Sequence, residues 1–223
     1  MTQAPELIVM LTRNDHTVPD APEVFARCRQ AKARFWGFKE DGLPLRKMQA
    51  LSASMKEAGK TVFLEVVTYT RAESLAGARM AAACGVDVLM GTMFDREILA
   101  LCRDAGIRYL PFVGRIHGRP SVLEGSLEEM LDQAGEAISA GAWGIDLLGY
   151  RYTGDAAALN RDFVARVPAP VVLAGSINSL ARLDEVRQAA PWAFTIGSAF
   201  FDGKYGTDFA AQIDLVCDHM SRQ

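Results

Sequence analysis

The sequence predicts a single (β/α)8 TIM barrel, and three observations carry that prediction. A helix-forming run that ends in glycine and leads straight into a short apolar strand recurs in KEAG-KTVFLEVV, AACG-VDVLMGT, RDAG-IRYLPFVG and ISAG-AWGIDLLGY. Further apolar strands without that glycine bring the pattern to eight strand–helix alternations. The 223 residues, 50% of them apolar, fit one large domain over 1–223 better than two small ones.

Strand one is expected at Leu7 to Leu11 and strand two at Phe35 to Phe38. Strands three to six follow Gly59, Gly85, Gly106 and Gly141, because glycine just past a helix takes the left-handed conformation without steric cost. Strand seven, Val171 to Ala174, leaves the break at Pro168 and Pro170, and strand eight, Phe194 to Ile196, follows Pro191. These strands are almost continuously apolar, as expected where both faces of a parallel sheet are covered. Amphipathic helices lie between them, for example Leu45 to Ala58, Leu127 to Ser139 and Leu180 to Ala189. An open doubly wound sheet would show a glycine-rich first turn, and no GxGxxG is present.

Charge and composition narrow the function classes. A net charge of -3 argues against an electrostatic grip on nucleic acid or an anionic membrane. No apolar run approaches the length of a membrane span, and Leu7 to Leu11 is too short for a signal peptide, so a soluble, cytoplasmic protein is expected. Cys28, Cys84, Cys102 and Cys217 have no CxxC spacing and read as buried thiols on helices. His16, His117 and His219 lie too far apart for a zinc motif. The basic run Arg27, Arg29, Lys32 and Arg34 reads as a solvated helix face.

Barrel enzymes place their chemistry at the carboxyl ends of the strands. A charge inside a buried strand cannot face the helix layer cheaply, so it must look into the barrel mouth. Lys39 at the end of FWGFK, Glu65 in VFLEVV and Asp146 in WGIDLL meet that description and are the candidate catalytic residues. Strands seven and eight end in Ala174-Gly175-Ser176 and Ile196-Gly197-Ser198. Glycine admits an anion close to the backbone, so Gly175, Ser176, Gly197 and Ser198 are candidate phosphate contacts.

This AGSI…TIGSAFF pattern, on eight units, resembles the ribulose-phosphate-binding barrel superfamily. The resemblance covers the whole chain in architecture and is specific in its last quarter. It implies a small phosphorylated metabolite as ligand, and a reaction among those of sugar-phosphate isomerases, epimerases, decarboxylases and small aldolases. The isomerases resembled use a strand-one carboxylate or cysteine, whereas strand one here reads IVMLTRND, with Asp15 in the loop beyond it. The decarboxylase pattern DxKxxD is met only by FKED. Lys39 is the residue that matches the Schiff-base lysine of some synthases and aldolases in the group.

The expected activity is enolisation of a phosphorylated carbonyl compound, of lyase (aldolase) or isomerase type. Lys39 acts as imine former if one carboxylate is near, or as charged electrophile if two are. Glu65 and Asp146 move the proton. No cofactor is expected, although the two carboxylates also suit magnesium in a metal-dependent isomerase or decarboxylase. A non-catalytic phosphometabolite sensor needs the glycines but not the three charges. A nucleotide site needs a flat wall, which Tyr69, Phe94 and Tyr150 offer. Arg13, Arg115, Tyr150 and Arg151 are expected to contact substrate from the loops, with His117 as a further proton carrier and the long strand-five loop, RIHGRPSVLEGS, as a lid. Phe200, Phe201 and Tyr205 either cover the barrel or form a homo-oligomer contact.

Overall fold

Alternate residues of a strand point to opposite faces, so a strand in a closed barrel sorts its side chains between lumen and helix layer. The computed structural model describes residues 4–221. Eight parallel strands close into a barrel: β1 (Glu6–Met10), β2 (Phe35–Lys39), β3 (Thr61–Val66), β4 (Val88–Met93), β5 (Arg108–Phe112), β6 (Ile145–Leu147), β7 (Val171–Leu173) and β8 (Ala193–Ile196). Each strand pairs with its sequence neighbours, and β1 closes the ring against β8 through Leu7↔Phe194 and against β2 through Val9↔Trp36.

The helices in chain order are α1 (Ala21–Cys28), α2 (Leu45–Glu57), α3 (Arg71–Cys84), α4 (Arg96–Asp104) and α5 (Leu127–Ala140), then α6 (Ala156–Arg166), α7 (Leu180–Ala189), α8 (Ser198–Phe201) and α9 (Phe209–Ser221). Where the sequence pattern predicted eight helices, the described residues hold nine, the short α8 being the addition. Gly59, Gly85, Gly106 and Gly141 all have positive φ, as the helix-glycine-strand pattern requires. Helix starts are fixed by side-chain caps, Thr70, Asp95, Asp155 and Ser179 among them, and by the Ser126–Glu129 capping box on α5.

Alternation places the core. Leu7, Val9 and Leu11 pack under the helices, while Ile8 and Met10 join the lumen. On β2 and β3 the outward residues are Trp36, Phe38, Val62 and Leu64, which leaves Phe35, Lys39, Phe63 and Glu65 to the inside. Asp146 stands between two outward residues, Ile145 and Leu147, and so faces in as well. The amino-terminal end of the lumen is plugged by aromatic rings, with Phe35 5.2 Å from both Phe63 and Trp192, and Trp143 4.8 Å from Trp192. Such pairs add roughly 0.5–1.5 kcal/mol each beyond their area burial.

Cys28, Cys84 and Cys102 are buried free thiols and Cys217 is half-buried. Among the described residues no helix is long and apolar enough to cross a membrane. Phe200 and Tyr205 are buried, and Phe201 packs edge-on to Phe209 of α9 at 4.9 Å, so these three side chains cover the barrel.

Candidate functional site

Two short antiparallel segments in the connection after β1 organise the mouth. Thr12–Arg13 pairs with His16–Thr17, joined by a two-residue turn at Asn14 and Asp15 with φ +53° and +64°. A turn with positive φ at both central residues is the tight hairpin turn that asparagine and aspartate tolerate. It folds Asp15 back over β2, where Lys39 Nζ donates to Asp15 Oδ1 at 2.9 Å. The same Nζ stands 3.6 Å from Glu65 Oε2, its neighbour across the β2–β3 ladder. Thr17 fixes the lysine's backbone, accepting from the Lys39 N–H at 2.8 Å and donating to its carbonyl at 2.9 Å.

Electrostatics follow from burial and proximity. Lys39 is 6% exposed, and burial alone would depress its pKa; the charges of Glu65 and Asp15 overcome that and raise it, so it stays an ammonium. Burial pushes Asp15 up, but the Lys39 charge and hydrogen bond, helped by Arg151 and Arg119, hold it below the usual carboxylate range. Burial raises Glu65 despite Lys39. Asp146, fully buried, is raised well above the usual range by desolvation and then by Glu65, and neither of its oxygens has a hydrogen-bond partner among the described residues.

The predicted phosphate contacts converge on this cluster. Gly175, Ser176, Gly197 and Ser198 line the same cavity as Asp15, Lys39 and Glu65. A Cβ on Gly197 would lie 2.5 Å from Thr12 Oγ1 and 2.9 Å from the Thr12 carbonyl oxygen, so only glycine lets β8 approach the hairpin this closely. Gly175 has φ +91°, and the Arg151 side chain runs directly across it. The hairpin and the β8 loop are further tied by the Asn14 N–H, which donates to Ser198 Oγ at 3.0 Å, and by Arg13–Asp202 at 2.9 Å.

Other expected residues fall elsewhere. Arg151 lines the cavity, but Arg13 does not, being paired with Asp202. Arg115 pairs with Glu129 at the start of α5, 3.2 Å away, because its strand of the β5 loop faces that helix. Tyr150 is buried beneath Arg182, whose guanidinium sits 4.3 Å from the ring centroid, and burial pushes its hydroxyl up to about 12. Asp146 faces the lumen but lies behind the cavity lining. Tyr69 and Phe94 do not line the cavity, and exposed His117 stands 3.7 Å from Glu124.

The β5 loop forms a hairpin, Arg115–His117 with Val122–Glu124, that folds over the mouth. Arg119 anchors it by donating to Glu40 Oε1 and the Val67 carbonyl, both at 3.0 Å, and Ser121 reaches the cavity. Lys204, which no sequence signal distinguished from a surface lysine, also lines the cavity. The donor set does not fit magnesium. Among the described residues no three His, Cys, Asp or Glu side chains converge as metal ligands, and the Lys39 ammonium already sits between Asp15 and Glu65.

Fold and topology together define a closed, parallel (β/α)8 barrel. No family model matches the sequence, and no curated protein does. Similar solved structures include one described as a native KDPGal structure, with TM-score 0.69 and 14% identity over 98% of this chain and 95% of that one. Orotidine 5'-phosphate decarboxylase from Lactobacillus acidophilus matches with TM-score 0.68 and 12% identity, over 99% of this chain and all of that one (100%). N-acetylmannosamine-6-phosphate 2-epimerase from Clostridium perfringens matches with TM-score 0.64 and 12% identity, over 89% and 88% of the two chains. Likeness at this identity establishes the fold and singles out no subfamily.

Proposed function

We propose that the protein is an enzyme that enolises a small phosphorylated carbonyl compound, as an isomerase or a lyase of aldolase type. The observation that carries this reading is the buried Asp15–Lys39–Glu65 cluster opening into the same cavity as the two Gly-Ser turns. A phosphate held by the amides around Gly175 and Gly197 leaves the rest of a small substrate facing Lys39. Glu65, in its ionised form, takes a proton from the carbon beside the carbonyl, and the C–H electron pair moves onto the carbonyl oxygen. The Lys39 ammonium stabilises the oxyanion that results. Delivery of that proton to the former carbonyl carbon, as the hydroxyl proton of the adjacent carbon passes to the oxyanion, completes an isomerisation. In a lyase reaction Glu65 takes instead the proton of the β-hydroxyl, and the carbon–carbon bond breaks to release an aldehyde and leave the enolate. The enolate carbon then takes up the proton.

Two carboxylates at the ammonium favour Lys39 as electrophile over Lys39 as imine former, since an imine needs the neutral amine. Burial and then the Glu65 charge raise Asp146, so Asp146 retains a proton where an isolated carboxyl would have lost its own.

The test is solvent-deuterium exchange, followed by proton NMR, on phosphorylated ketoses and aldoses of three to six carbons. Exchange beside the carbonyl is expected with a phosphorylated substrate and not with its unphosphorylated counterpart. Lys39→Met should slow it by about 10²–10³-fold, the cost of removing one oxyanion donor. Binding without exchange across the whole panel would make the protein a sensor instead. A borohydride-stable adduct on Lys39 would replace the electrophile with an imine.

A further inference from the structure

The cations around the mouth differ in their partners. Arg13, Arg115 and Arg119 do not line the cavity, and each is paired: with Asp202 at 2.9 Å, Glu129 at 3.2 Å and Glu40 at 3.0 Å. Six charged residues line the cavity: Asp15, Lys39, Glu65, Arg151, Asp202 and Lys204. Lys39 is taken by Asp15 and Glu65, and Asp202 by Arg13. Arg151 and Lys204 enter no ion pair and donate no side-chain hydrogen bond among the described residues. The cations off the cavity lining are thus neutralised, and two on it, Arg151 and Lys204, have no ion-pair partner among the described residues.

These two occupy different places. Lys204 is exposed and follows α8, its backbone N–H bonded to the Ala199 carbonyl at 2.9 Å, so it lines the cavity from beyond the β8 turn. Arg151 is half-buried and closer in. Its Cγ lies 2.7 Å, and its Nε 3.3 Å, from where a Cβ on Gly175 would be. Its charge also lowers the pKa of Asp15. Its side chain therefore starts on the phosphate turn and carries its guanidinium toward the Asp15–Lys39 end. Arg151 thus feels Asp15 at a distance but is paired with no carboxylate among the described residues, and its planar fork matches one.

We propose that Arg151 forms a second anion subsite, between the phosphate cradle and Lys39, and that the substrate carries a carboxylate in addition to its phosphate. This inference rests on the phosphate reading of the two Gly-Ser turns. Lys204 then serves the phosphate and Arg151 the carboxylate, one cation to each anionic group. The substrate class becomes that of small phosphorylated carboxylic acids bearing a carbonyl.

A matched ligand pair tests it. Glycerol 3-phosphate and 3-phosphoglycerate share a carbon chain and a phosphate and differ in a terminal carboxylate. Isothermal titration calorimetry on the full chain should show 3-phosphoglycerate binding about 10- to 100-fold more tightly, the range for a hydrogen bond between charged groups. Arg151→Met should bring it down to the affinity of glycerol 3-phosphate, and Arg151→Lys, which keeps the charge without the fork, should retain part of the difference. Lys204→Met should weaken both ligands alike. Equal affinities in the parent protein, or a preference that survives Arg151→Met, would overturn the second subsite while leaving the cradle standing. Should neither ligand nor inorganic phosphate bind, the cradle and the subsite fall together.

Discussion

A lysine buried to 6% exposure keeps its charge only where anions repay the lost hydration, and Lys39 has two of them, at 2.9 and 3.6 Å. Asp146 has the opposite problem: a carboxyl with no exposure and no hydrogen-bond partner among the described residues, beside another carboxyl that is itself raised. Its folded pKa exceeds its unfolded one. Between those two values the unfolded chain has released a proton that the folded chain keeps, so stability is full below the unfolded pKa and falls as pH rises. Asp146→Asn removes that titration and should stabilise the fold more at pH 8 than at pH 5, as measured by urea unfolding at each pH. If Asp146 stores the proton that Glu65 uses, the same variant gains stability while losing exchange activity. A gain that is equal at the two pH values would mean Asp146 is ionised in the folded protein. Asp15, with a lowered pKa, works the other way, and its contribution is lost only as pH falls through its folded value. The inward direction of Lys39, Glu65 and Asp146 was legible from strand alternation, because each is a charge among outward apolar neighbours. The depth of Asp146 was not, since the stagger of a barrel sets how far each strand's inward residues lie from the mouth.

At the scale of elements, the hairpin from Thr12 to Thr17 binds the two halves of the site to each other. It lays Asp15 on Lys39, clamps the Lys39 backbone through Thr17, and meets the β8 turn at Gly197 and Ser198. Gly197→Ala should therefore act on both halves. The added methyl would meet Thr12 at 2.5 and 2.9 Å, one of these a backbone oxygen, so the hairpin must shift. Overpacking of this kind costs about 1–3 kcal/mol, readable as a lowered denaturation midpoint, and should weaken phosphate binding with it. A variant of parental stability and affinity would show that the hairpin is free to move. The hairpin had a sequence signal, the Asn14-Asp15 pair between TR and HT, but its flanking segments are too short for periodicity to register. Strand ends, the glycine turns and the long loop after β5 were legible because glycine and proline mark them, whereas the hairpin within that loop was not. The destinations of Arg115 and Tyr150 were not, since a loop side chain takes its direction from neighbours distant in sequence.

Across the whole molecule, the lumen divides along its axis into an aromatic plug at the amino-terminal end and a charged layer at the mouth. Eight helix–strand units pointed to the closed ring, because eight is the number that closes such a barrel and the glycine-rich first turn of the open doubly wound alternative is missing. The division has an energetic consequence. Buried charges with unpartnered oxygens destabilise, so the plug and the helix layer must supply the margin that lets the mouth exist. Phe63 tests this, since it is fully buried, touches the plug through Phe35 at 5.2 Å, and sits on β3 below Glu65 with one residue between. Phe63→Ala should cost about 3–5 kcal/mol of stability, as large aromatic truncations in cores do. Measured well below its lowered melting temperature, the variant should still bind glycerol 3-phosphate as the parent does, because the cradle belongs to β7 and β8 and takes its shape from the hairpin rather than the plug. Loss of both stability and phosphate affinity would instead tie the plug to the mouth, and stability and site would then have to be treated as a single packed unit.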